Sequence, residues 1–212
     1  MSLTAAQLIQ IAPAALPYAS LLIRFAGEMA IDTPRRQAHF LAQIAVESGG
    51  FRRVRESLNY SVEGLLDAFG RHRISVEDCQ RYGRCPAHPA HQVEIANRIY
   101  GGEFGRRQLG NIEAGDGARF IGRGLKQITG RANYRACSRD LLGDDRLLQS
   151  PALLEDPELA ARSAAWFWST HDLNRLADAD NIEAITQTVN GGSNGLADRR
   201  AWLERFKRAV AA

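Results

Sequence analysis

Two glutamates nine residues apart, Glu47 and Glu56, offer the pair of carboxyl groups that glycosidic hydrolysis requires. One group protonates the leaving oxygen; the other activates a water or attacks directly. Glu47 follows Phe40 and Ile44 at helical spacing, so the three share a face. A carboxyl group drawn out of water favours its neutral form, which is what a general acid working near neutrality needs. The same position also suits a helix-end glutamate paired with Arg52 or Arg53. Glu56 follows the basic stretch Arg52-Arg53-Val54-Arg55, where taken alone it reads as a solvated residue. On one continuous helix, nine steps of about 100° would set the two carboxylates on opposite sides. Ser48-Gly49-Gly50 interrupts the helix, so the chain can turn back and bring Glu56 across a cleft. A separation of about 6.5–9.5 Å between the carboxyl groups would give inversion and about 5–5.5 Å retention. The sequence permits either.

Helices must position these groups. Thr33-Pro34, a cap followed by an N1 proline, starts a helix from 34 to about 48 that carries Glu47. Thr4 caps a helix over about 5–11, and Pro17 suits the first turn of another over about 17–30. Ser61 opens a helix that Gly70 closes, Ser75 with Asp78 resembles a capping box, and His91 to Tyr100 reads as a further helix. Later helices are expected at about 130–142, 157–170 with an Asp156 cap, 181–190 with an Asp180 cap and a Gly191 stop, and 196–210. Between them, eight of the 19 glycines fall within residues 101–124. A segment this long and glycine-rich is expected to be a functional loop, with a short extended or hairpin piece around Phe120 to Ile128. The expected fold is all-α: a lysozyme-like helical domain spanning 1–212, with a substrate cleft, the long loop, little or no β, and a small helical lobe at about 52–100.

The chain has 212 residues, 45% hydrophobic and 24% charged, which is an ordinary globular composition with ample material for a core. A net charge of +3 is too small to imply nucleic acid, but it suits an anionic surface. Residues 1–12 lack a basic leader, and Gln7 and Gln10 interrupt the apolar run. The chain is therefore expected to be made in the cytoplasm without a signal peptide. Three cysteines argue against a disulfide framework. Cys79 and Cys85 are near enough to bridge, and with His88 and His91 they are a conceivable metal set, but the spacing matches no common zinc pattern. No metal and no cofactor is expected.

FLAQIAVESGGF (40–51), RESLNYS (55–61), GRGLKQITGRANY (122–134) and VNGG (189–192) resemble glycoside hydrolase family 19, in particular its phage and prophage endolysin branch. The likeness runs over nearly the whole chain. It implies Glu47 as general acid, Glu56 as general base and Thr129 as a hydroxyl holding the nucleophilic water. It also implies Gln127, Asn133 and Tyr134 as sugar-contacting or site-shaping residues, and Asn190 as the cleft asparagine. One departure stands beside the acid: many members carry a histidine where this chain has Val46. A threonine hydroxyl can both donate and accept, so it can orient a water. Gly122 and Gly124 could admit a sugar close to the backbone, or simply serve a turn. Asn190-Gly191-Gly192 could equally be a helix C-cap.

The resemblance implies hydrolysis of β-1,4 bonds in bacterial peptidoglycan by a monomer that reaches the wall after the membrane is permeabilised. Rival readings are a chitinase, a lytic transglycosylase and a non-catalytic wall-binding module. A transglycosylase relies on one principal glutamate, and a degenerate binder should have lost one of the pair. Trp166, Phe167, Trp168 and Trp202 have the spacing of core residues rather than of a sugar platform. Arg199, Arg200, Arg205, Lys207 and Arg208 make a basic helix, read as a solvated face that can also touch an anionic outer-membrane surface.

Overall fold

A computed structural model describes residues 2–211. The principal helices are α1 (Ala5–Ile11), α2 (Ala19–Glu28), α3 (Pro34–Glu47), α4 (Val62–Ala68), α5 (Val76–Tyr82), α6 (Gln92–Ile99), α7 (Arg131–Leu142), α8 (Pro157–Thr170), α9 (Leu173–Asp178), α10 (Ile182–Asn190) and α11 (Leu196–Ala211). Helix accounts for 64% of the structure and no sheet forms among the described residues, which makes the fold all-α. Among the described residues, no helix is long and apolar enough to cross a membrane.

Local capping explains most of the boundaries. Thr4 accepts from the Gln7 N–H and Gln7 reaches back, a complete capping box. Thr33 accepts from Arg36 N–H with Pro34 at the first position, and Asp156 does the same service ahead of Pro157. Ser61 and Ser75 cap α4 and α5. Two starts differ from expectation. Pro17 lies in a turn and α2 begins at Ala19. The cap of α10 is Asn181 rather than Asp180, because the Asp180 carboxylate is engaged by His39 and Lys207. The short α9 and the turns Arg146–Gln149 and Pro151–Glu155 have no strong sequence signal.

The chain divides into two compact units. The first comprises 1–54, 124–127 and 154–212. Its centre is α3, on which every residue from Gln37 to Ala45 is buried. Leu41, Ile44, Leu22, Phe25, Ala161 and Trp168 belong to its core, and Phe40 meets Trp168 edge-on at 5.5 Å between ring centroids. Helix α11 packs along α3. Its basic run is divided: Arg205 and Arg208 are exposed, while the other three cations are engaged. Arg199 is buried, Arg200 pairs with Glu183, and Lys207 donates to both oxygens of Asp180.

The second unit comprises 55–123 and 128–153. Leu58, Leu65, Ile74, Cys79, Ile95, Ile99 and Ile121 form its core. The glycine-rich segment is ordered by short helical turns, Gly102–Phe104, the π-helical Gly105–Leu109 and Asp116–Arg119, instead of running as a long loop. Gly117 is required where it packs against α6, since a Cβ there would stand 2.6 Å from the carbonyl oxygen of Ala96. Among the described residues, extended pairing is confined to isolated bridges, including Arg55 with Arg123 and Arg123 with Ile128. Cys79, Cys85 and Cys137 are free thiols, and Cys79 is buried in the core of this unit. Among the described residues, no group of three or more His, Cys, Asp or Glu is placed to hold a metal ion.

Candidate active site

Glu47 is the last residue of α3. Ser48 ends the helix: its hydroxyl donates to the Ile44 carbonyl at 2.6 Å and accepts the Phe51 N–H at 2.9 Å, while Gly49 and Gly50 take positive φ. The Glu47 side chain is only 13% exposed, and its surroundings are not simply apolar. Lys126 Nζ lies 3.3 Å from Oε2 and Arg199 Nη2 lies 2.5 Å from Oε1. Neither Arg52 nor Arg53 is the partner. Both cations are buried, and Lys126 also sits 4.3 Å over the Phe167 ring. Behind them, Arg199 Nη1 donates to Gln43 Oε1, Gln43 Nε2 donates to Thr186 Oγ1 at 3.4 Å, and Thr186 donates to the Ile182 carbonyl at 2.7 Å. Gln43 and Glu47 are one helical turn apart, so a single guanidinium spans both. Charge-assisted bonds of this kind fix a carboxylate in one rotamer.

Glu56 belongs to the second unit and is anchored differently. Its backbone N–H donates to the Gly122 carbonyl at 3.0 Å, and the Gly122 N–H returns to Oε1 at 2.5 Å. Tyr100, the residue that caps the end of α6, donates its hydroxyl to Oε2 at 2.7 Å. Burial, then the charge and hydrogen bond of Glu56, push the Tyr100 phenol far above its ordinary range, so it remains a donor. A cavity of about 50 Å³ lies beside Glu56, lined also by Arg55, Leu58, Gln92, Ala96 and Ile121, with room for water. Two of the roughly four lone-pair positions of a carboxylate are occupied here, which leaves acceptor capacity for a water.

The remaining sequence candidates divide between the units. In the second, Thr129 is half-buried and its carbonyl accepts from the exposed Asn133 amide at 2.8 Å. Tyr134 is fully buried against Phe120; its hydroxyl donates to the Ile121 carbonyl at 2.7 Å and accepts from Arg123 at 3.0 Å. Buried and bonded in this way, it braces the 121–123 backbone that grips Glu56. In the first unit, Gln127 has positive φ and closes a turn by donating to the Gly124 carbonyl at 2.8 Å. Gly124 serves the same turn: its φ is +75° and Ser163 Oγ would lie 3.0 Å from any Cβ. Asn190 is exposed at the end of α10, and Gly191 is the left-handed C-cap, so that motif does cap a helix.

Sequence reasoning passed over Arg199, Lys126, Gln43 and Tyr100. One signal was present. Leu196, Leu203 and Phe206 mark the apolar stripe of α11, and Arg199 stands in that stripe rather than on the basic face. A charge at a core position needs a buried partner.

A family model described as Chitinase class I matches residues 96–194. A glycosyl hydrolase family 19 domain-containing protein of Haemophilus influenzae is 38% identical over 164 residues, covering 77% of this chain and 74% of that protein. The chain belongs to glycoside hydrolase family 19. This family 19 domain is accordingly a glycoside hydrolase. It is similar in fold to the crystal structure of a bacterial family 19 chitinase, with a TM-score of 0.60 and 19% identity over 99% of this chain and 95% of that one. Chitinase C of Streptomyces griseus HUT6037 gives a TM-score of 0.58 at 18% identity, over 99% and 92%. In the family 19 domain the model match begins inside α6, before Tyr100, and ends just past Asn190.

Proposed function

We propose that this family 19 hydrolase cleaves the β-1,4 bonds of bacterial peptidoglycan as an endolysin of the phage or prophage type. Glu47 is the general acid, Glu56 the general base, and Thr129 helps to hold the attacking water. Hydrolysis proceeds with inversion. The Glu47 proton goes to the leaving oxygen as the glycosidic bond breaks, water bonds to the anomeric carbon, and the water's proton passes to Glu56.

The observation that carries this reading is that each carboxylate is built in by fixed partners suited to a different task. Once Glu47 has given up its proton, Arg199 and Lys126 are already in place to stabilise the carboxylate left behind. Glu56 is aimed by two neutral donors and keeps lone pairs for a water. A single-glutamate transglycosylase needs no second anchored carboxylate. Gln127, Asn133 and Asn190 are proposed sugar contacts. Two carboxylates and a water complete this chemistry, so activity is expected to persist after exhaustive chelation.

The preference for peptidoglycan rests on the endolysin-like motifs at 40–51, 55–61, 122–134 and 189–192. A second reading, hydrolysis of chitin oligomers, is favoured by the Chitinase class I description of the matching model. Both use the same residues. The protein is further proposed to accumulate harmlessly in an expressing cell, act as a monomer, and reach the wall when the inner membrane is permeabilised.

Mass spectrometry of products from purified peptidoglycan and from chitin oligomers separates these readings. Hydrolysed reducing ends from peptidoglycan are the expected result. Cleavage of chitin alone would install the second reading, and anhydro-muramic ends would replace the two-carboxylate mechanism.

A further inference from the structure

Tyr100 is fixed from several directions. Its carbonyl accepts the Asn111 side-chain amide at 2.8 Å. Arg73 faces its ring at 5.8 Å from the centroid, and that guanidinium is itself pinned, 3.7 Å over the Phe104 ring with Nε donating to the Ile99 carbonyl at 2.6 Å. A phenol held this way cannot follow a swinging carboxylate; the carboxylate must come to the phenol. On the other side, the Gly122 peptide grips Glu56 through both its backbone and Oε1.

We propose that Tyr100 is the positioning residue for the water-activating carboxylate: its fixed hydroxyl, together with the Gly122 N–H, sets the one rotamer of Glu56 that presents an open lone pair to the water. This rests on the reading of Glu56 as the base. Tyr100 keeps its proton throughout the reaction, so it acts only through Glu56. The charged and titratable groups around the pair are Arg55 beside Glu56, Arg123 bridged to Arg55, and Arg73 and Tyr60 facing Tyr100. A neutral donor to an ionised carboxylate favours the charged form, so losing it disfavours the form a base needs.

The test is Tyr100→Phe, assayed on purified peptidoglycan and on chitin oligomers, with Glu56→Gln in parallel and thermal melting to record folding. Turnover should fall about tenfold at little change in KM, the loss expected for one hydrogen bond to a charged group. The acid limb of the rate profile should move up by about one pH unit. Site-specific 3-fluorotyrosine at position 100, near-isosteric and a stronger donor, should move that limb the opposite way, and it keeps the test alive should the phenylalanine variant fold poorly. An unshifted limb in both variants, with any loss of rate matching only the loss of folded protein, overturns the proposal. If Glu56→Gln itself turns over normally, the base assignment has failed instead, and the role of Tyr100 falls with it.

Discussion

Arg199 Nη2 lies 2.5 Å from Oε1 of Glu47, while its other terminal nitrogen is committed to Gln43. The guanidinium is 2% exposed, so it depends on that carboxylate for its counter-charge. Glu47→Gln should therefore show two effects. Turnover should fall by at least the 10²–10⁴-fold order typical of general acid–base catalysis. The fold should also weaken by about 2–3 kcal/mol, because a buried cation loses its partner. Thermal melting should report this at roughly 2–4 °C per kcal/mol. Arg199→Lys keeps the charge but cannot span Gln43 and Glu47 together, and should lose about 10- to 100-fold in kcat. A fully active Arg199→Lys variant would show that the bridge does not hold the acid.

His39 gives the first unit a pH-dependent fold. The ring is fully buried, Nε2 meets Asp180 Oδ1 at 2.7 Å, and Nδ1 has no hydrogen-bond partner among the described residues. Burial dominates and pulls its titration below the ordinary value of 6.5; Asp180 opposes, and Lys207 and Arg35 add to the lowering. Protonation would put an N–H at Nδ1 facing nothing. As pH falls through 6.5 the unfolded chain takes up a proton that the folded one resists. Stability is thus full above that pH and declines below it until the folded histidine titrates, at no more than about 1.4 kcal/mol per pH unit. Melting curves between pH 7 and 5 should show the decline, and His39→Gln should flatten it. An unchanged slope in that variant would place the responsible proton elsewhere.

Asp116 organises the glycine-rich segment. Its carboxylate is 2% exposed and takes Arg131 through two bonds of 2.7 Å, while Oδ2 also accepts the Ile112 and Glu113 N–H groups at 2.9 Å. Burial opposes its ionisation, but the Arg131 hydrogen bond and charge and the two backbone donors outweigh it and hold the carboxyl below its ordinary range. The stability this supplies is present at neutral pH and is lost only as pH falls below 3.8 through the lower folded value. Asp116→Asn strands the half of Arg131 that Glu113 does not reach and should cost about 3 kcal/mol. Amide hydrogen exchange should quicken across 110–117. Unaltered exchange there would mean that the short helical turns hold the segment without the ion pair.

The helices were readable because their start signals are local: Thr33-Pro34 and Asp156-Pro157 act within one turn of themselves. The site was readable only in part, for the opposite reason. Glu47 and Glu56 stand in recognisable motifs, but the groups that hold them come from 152, 79, 66 and 44 residues away, for Arg199, Lys126, Gly122 and Tyr100. No periodicity encodes such meetings. Asp180 shows the same limit in reverse. Its sequence context reads as a helix cap, yet tertiary partners claim its carboxylate and Asn181 caps the helix instead.

The order of loss among Glu56 and Thr129 variants separates proton transfer from orientation. Glu56→Gln keeps the size of the side chain, and its amide can still accept from Tyr100 or Gly122, but it cannot take a proton from water. Its turnover should fall within the 10²–10⁴-fold range of lost general base catalysis. Thr129→Ala removes a hydroxyl that can only orient, so it should cost less, about tenfold. Neither variant should unfold, since both side chains are half-exposed and neither belongs to a core cluster. Glu56→Ala opens space where the carboxylate stood, beside the existing cavity of about 50 Å³. Small azide diffusing there can attack in place of the activated water, and the product to seek by mass spectrometry is a glycosyl azide. Its appearance with Glu56→Ala but not with Glu47→Ala is expected, because azide can replace the nucleophile but cannot protonate the leaving oxygen. If Glu56→Gln kept near-wild-type turnover while Thr129→Ala lost most of it, the base would have to be sought elsewhere in the chain.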